Sequence, residues 1–148
     1  MAEKTKYSRH ELREAAFKVL FAKEFDKDAD PAEFYDNYTE DSDEICDDFV
    51  KNTLIGVTEK LAEIDAEIEA YSAKWKIARM STATKSALRL AVYEMIYTEV
   101  PPKVAMNEAI ELVKIYDDEN APAFVNGILN KVAREKGLIE SAVDNAGE

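Results

Sequence analysis

The stretch LRLAVYEMIYTEVPPKVAMNEAIELVKIYDDENAPAFVNGILNKV, Leu88 to Val132, decides how the chain folds. Leu88, Ala91, Val92, Met95 and Ile96 recur at the three- and four-residue steps of one helical face. Ala105, Ala109, Leu112, Val113 and Tyr116 repeat the pattern, and Val125, Ile128, Leu129 and Val132 repeat it again. Pro101–Pro102 cuts the first joint, because proline lacks a backbone donor and disfavours helix at the preceding residue. Asp117–Asp118–Glu119–Asn120 and Pro122 cut the second. Three short apolar faces joined by tight turns bury one another as a helical bundle.

Working outward, an upstream stripe runs through Cys46, Val50, Leu54, Val57, Leu61, Ile64, Ile68, Tyr71 and Trp75. It predicts one long helix, or two nearly collinear ones broken near Gly56, with Cys46 a buried thiol. Ser8 followed by Glu11 predicts a capped helix start. That first helix carries two stripes, Leu12, Ala16, Val19 and Leu20, and beside it Phe17, Phe21 and Phe25. Large apolar residues are usually buried, so Phe21 reads as core. Pro31 suits the first turn of a short helix holding Phe34 and Tyr38. Ser81 or Thr82 caps the Leu88 helix, where Arg89 and Glu94 fall off the stripe and read as exposed. Asn126–Gly127 reads as a close helix packing, and Gly137 as a helix stop.

A chain of 148 residues, 47% apolar, is one domain, divisible into two lobes. We expect an arm at 1–7, a helical domain at 8–137 with lobes at about 8–75 and 80–137, and a frayed tail at 138–148. No apolar run reaches membrane-spanning length and no signal-peptide pattern opens the chain, so no membrane partner and a cytoplasmic location are expected. One histidine and one cysteine leave no His/Cys metal set. With four glycines there is no phosphate loop, and no catalytic constellation is evident; the chain reads as a binding protein without cofactor.

The net charge of −12 is concentrated. Glu24 to Asp48 holds twelve acids against Lys27 alone, a solvated acidic face. The remainder has eighteen basic and nineteen acidic residues. Ala70 to Tyr93 contains Lys74, Lys76, Arg79, Lys85 and Arg89 and no acid, and Lys4, Lys6, Arg9, His10 and Arg13 mark the N-terminal segment. Both segments are expected to be available for phosphate.

Lys103-Val-Ala-Met-Asn-Glu-Ala-Ile-Glu-Leu-Val-Lys114, followed by Phe124-Val-Asn-Gly-Ile-Leu129, closely resembles the signature of the NusB family. Leu88-Arg-Leu-Ala-Val-Tyr-Glu94 and Arg13-Glu-Ala-Ala16 with Leu20–Phe21 match the same family, so the resemblance runs from about Arg13 to Val132. It implies an all-α, seven-helix protein with two three-helix lobes packed crosswise. It implies a transcription antitermination factor that binds boxA-type single-stranded leader RNA with NusE, a small-subunit ribosomal protein. The pair would join an antitermination complex on RNA polymerase. By position, the RNA contacts would be Lys4, Lys6, Arg9, His10, Arg13, Tyr71, Asn120 and Phe124, with the two aromatics stacking on splayed bases. The NusE-facing surface would include Phe21 and the helix start around Thr84 and Lys85. Family members often carry a hydroxylated aromatic at the first and an acid at the second; here they are Phe21 and Thr84. Two other readings are an RNA-methyltransferase accessory module acting in trans and a protein-only homodimeric scaffold; the free protein would be a monomer or weak homodimer.

Overall fold

The computed structural model describes residues 6–73 and 75–139. Over these the chain forms seven α-helices and one short 3₁₀ turn, with no strand. They divide into two compact units, one ending at Lys60 and the other beginning at Leu61.

The first unit holds α1 (Arg9–Lys23), α2 (Pro31–Thr39) and α3 (Asp48–Glu59). The capping box forms as expected: Glu11 N–H donates to Ser8 Oγ and Ser8 N–H to Glu11 Oε1, each at 3.0 Å. Asp30 caps α2, accepting from Glu33 N–H, with Pro31 in its first turn. Leu12, Phe17, Val19, Val50, Leu54 and Val57 form the apolar core with Tyr35. The Tyr35 hydroxyl donates to the Ile45 carbonyl at 3.0 Å and accepts from Asp47 N–H at 3.0 Å, which fixes the chain entering α3. That entry corrects one expectation. Asp47, not Cys46, caps α3, so Cys46 lies before the helix and its thiol is exposed. Phe21 also departs from the core reading: it is 36% exposed, and Phe25 beyond it is 75% exposed. The row Phe17–Phe21–Phe25, with ring centroids 6.3 and 5.9 Å apart, thus climbs from core to surface.

The second unit holds α4 (Leu61–Ala70), the 3₁₀ turn Ile77–Arg79, α5 (Thr82–Tyr97), α6 (Pro102–Tyr116) and α7 (Ala121–Glu135). The helix break falls at Lys60, not Gly56, so α4 joins α5 and α7, burying Ile64 and Ile68. Ser81 caps α5, accepting from Thr84 N–H at 3.0 Å. Every position from Ala83 to Val92 is buried, including polar ones. Arg89 and Glu94 are therefore inside rather than exposed: α5 packs against α4, α6 and α7 and has too little free surface for a polar face. After α7 the Gly137 N–H reaches the Arg134 carbonyl and the Leu138 N–H the Ala133 carbonyl, with Gly137 at φ +70°, a Schellman stop. Gly127 is exposed with nothing within 4 Å of where a Cβ would sit, so the close-packing reading of Asn126–Gly127 is not met.

Candidate nucleic-acid interface

The second unit carries a groove of about 240 Å³. It is lined by the 3₁₀ turn (Arg79), the start of α5 (Ser81, Thr84), the α6–α7 joint (Asp117, Asn120) and two aromatics, Trp75 and Phe124. The rings of Trp75 and Phe124 meet edge to face, with centroids 6.3 Å apart at 76°.

Asp117 holds the groove together. Its carboxylate accepts hydrogen bonds from the Ser81 hydroxyl and, at 2.7 Å, from the Thr84 hydroxyl, while its other oxygen accepts from Asp118 N–H at 2.8 Å. Partial burial pushes its carboxyl up, but the hydrogen bonds from Ser81, Thr84 and the backbone outweigh this and hold it below the usual carboxylate range. Helix α5 is thereby tied at its N-terminus to the end of α6, and α7 starts only four residues further on.

Of the RNA contacts anticipated by resemblance, Asn120 and Phe124 come together in this groove. Asn120 occupies the cap position of α7, yet its side chain makes no capping bond and the residue is exposed. Tyr71, half-buried just after α4, belongs to the same unit but not to the groove lining. Lys6, Arg9, His10 and Arg13 belong to the first unit, and Lys4 lies outside the described residues. Arg9 stacks its guanidinium over Phe49 at 5.0 Å and Lys6 its ammonium over Tyr7 at 5.3 Å. His10 is exposed and Arg13 is buried. Among the partner contacts, Phe21 is exposed, whereas Thr84 and Lys85 are buried, Thr84 within the Asp117 cluster.

The acid-free segment is less cationic at the surface than its composition promised. Lys85 is buried, Arg89 is paired with Asp65, and Lys74 lies outside the described residues; Lys76 and Arg79 are exposed. Sequence reading placed Trp75 on a core stripe, named Arg79 only as one of five basic residues in the acid-free segment, and gave Asp117 no role beyond the helix joint. The basic context was the available signal for Arg79. The departure of Trp75 from its stripe depends on a turn that periodicity does not encode.

Fold and groove together define an all-helical protein bearing a shallow aromatic surface groove edged by an arginine and an exposed amide. The NusB family model matches residues 10–134. A relative from Pediococcus pentosaceus, transcription antitermination protein NusB, is 41% identical over 130 residues, 86% of this chain and 98% of that one. The solved NusB of T. maritima superposes with a TM-score of 0.78 at 35% identity, covering 88% of this chain and 94% of that chain. A solved complex of antitermination factors NusB and NusE with double-stranded RNA contains a chain similar at TM-score 0.74 and 29% identity, covering 86% of this chain and 96% of that one. The chain belongs to the NusB family.

Proposed function

We infer that this protein is a non-catalytic, RNA-binding transcription antitermination factor. In this reading it binds boxA-type single-stranded leader RNA together with NusE and joins an antitermination complex on RNA polymerase. The observation that carries the reading is the meeting of Phe124 and Asn120 with Arg79 in one groove. An aromatic ring offers a stacking face to an unpaired base, an amide offers both a donor and an acceptor to a base edge, and a guanidinium matches a phosphate. The similarity to a chain of a complex of NusB and NusE with double-stranded RNA supports RNA as the ligand class and NusE as the partner. The exposed Phe21 and Phe25 supply an apolar patch for a protein partner.

The test is a titration of labelled boxA-type RNA at two salt concentrations, with and without NusE. Weak binding alone, tighter binding with NusE, and affinity that falls as salt rises are expected. Absence of any NusE enhancement defeats the cooperative reading.

A further inference from the structure

Trp75 is the only tryptophan in the chain and is 51% exposed. A side chain of that size at the surface leaves much apolar area in water unless something covers it. Its exposure is built in by the local chain. After α4 the backbone turns sharply, with Ala73 at φ +51°, a conformation that non-glycine residues adopt only under constraint. Ser72, almost fully buried, grips Trp75 twice: the Trp75 N–H donates to the Ser72 carbonyl at 3.0 Å, and the Ser72 hydroxyl donates to the Trp75 carbonyl. Two residues on, the Ile77 N–H donates to Glu69 Oε2 at 2.7 Å, closing the turn from the other side. These hydrogen bonds anchor the backbone on which Trp75 sits to the end of α4.

The surroundings specify what the indole can take. The edge-to-face contact with Phe124 covers only part of the aromatic surface. The groove, at about 240 Å³, is smaller than the ~300–1,000 Å³ of sites for drug-sized molecules, a scale for one flat ring system and not for a helix. Arg79 and Asn120 line it with the rings, and Asp117 and Asp118 contribute negative charge to the same lining. A phosphate is thus favoured toward Arg79 and disfavoured toward the acids.

We propose that Trp75 is the base-stacking platform of this groove, taking a single unpaired base of single-stranded RNA while Arg79 meets the adjoining phosphate. The proposal rests on the RNA-binding reading above and adds to it the residue and the ligand element, one base with one phosphate. Stacking of a base on an aromatic residue contributes about 1–3 kcal/mol by alanine substitution, so Trp75→Ala is expected to weaken RNA binding about five- to 150-fold. Trp75→Phe, which keeps a stacking face, is expected to retain most of the affinity.

Because all tryptophan emission comes from this one position, the contact can be read directly on the unaltered protein. Titration with boxA-type single-stranded RNA is expected to quench the emission saturably, with the midpoint found by anisotropy of labelled RNA. A series of RNAs each carrying one abasic nucleotide should lose the quenching at a single position. Binding seen by anisotropy without quenching, and unchanged when Trp75 is replaced by alanine, removes Trp75 from the site while leaving the RNA reading intact. Loss of NusE binding with full RNA affinity in Trp75→Ala assigns the indole to the protein partner and overturns the proposal. Absence of RNA binding by both measures, with NusE present, overturns the RNA reading and this proposal with it.

Discussion

Arg89 and Asp65 form a two-pronged pair: the guanidinium donates from Nε to Oδ1 and from Nη2 to Oδ2, both at 2.9 Å. An arginine in an acid-free run looks like a phosphate contact, but this one joins α5 to α4, with its side chain 9% exposed. Its charge is neutralised inside the second unit. Fully buried pairs lose about 3–5 kcal/mol when one partner is removed, and Asp65 is a quarter exposed, so Arg89→Ala should cost about 2–4 kcal/mol. Arg89→Lys should recover only part of this, since an ammonium cannot make the parallel pair. Denaturant unfolding measures the loss. RNA affinity at temperatures where the variant is folded should be unchanged; a drop would put Arg89 in the interface.

Asp117→Ala should destabilise the second unit by about 1–3 kcal/mol, because the buried Thr84 hydroxyl loses its acceptor. The effect should depend on pH. The folded state holds the Asp117 carboxyl below its ordinary value of 3.8, so between the two values the unfolded chain binds more protons. The contribution is present above the unfolded value and is lost as pH falls through the lower folded value. Stability curves of parent and Asp117→Asn should run parallel near neutrality and converge below about pH 4. A gap that widens on acidification would contradict the assignment.

Arg79→Ala should lower RNA affinity and also flatten its salt dependence. One phosphate contact on a single strand contributes about 0.7 to the slope of log affinity against log salt. Measured slopes for parent and variant should differ by about that amount, whereas an unchanged slope would mean that Arg79 meets no phosphate.

Phe124→Ala should leave the helical content and melting behaviour largely intact, since Phe124 is only half-buried at the groove rim. Its RNA affinity should fall by about 1–3 kcal/mol in titrations at fixed salt. Retained affinity in this variant would exclude Phe124 from the RNA contact.

Gly137→Ala should destabilise the end of α7 by about 1–2 kcal/mol. There is open space where the new methyl group would lie, so the cost comes from the left-handed backbone at φ +70° alone. Chemical denaturation of the variant checks this, and a neutral result would mean that the helix end relaxes without its Schellman stop.

Short-range signals carried much of this fold. The Ser8–Glu11 box, Pro31, Ser81 and Gly137 act within three or four residues, and each marks a helix end in the structure. Apolar steps at three and four located Leu12, Val50, Leu54, Ile64, Leu88, Leu112 and Leu129, all now in cores. Where the reading failed, the deciding partner was distant or the helix was covered on several sides. Nothing in the spacing of α5 indicates that Asp65 will neutralise Arg89, or that Glu94 will be enclosed. The stripe through Cys46 and Trp75 ran past both real helix ends, because Asp47 captured the start of α3 and the Ser72–Ala73 turn released Trp75.

The amino-acid order alone determined an all-helical protein, several of its helix ends, its apolar faces and the family signature, since each depends on contacts a few residues apart. Only the tertiary structure decided which charges are spent on internal pairs and which aromatics stay in water. It also brought Trp75, Arg79, Asp117 and Phe124, separated by up to forty-nine positions, into one groove. The physical reason is that burial and pairing depend on neighbours brought together through space, and helical periodicity describes only neighbours along the chain.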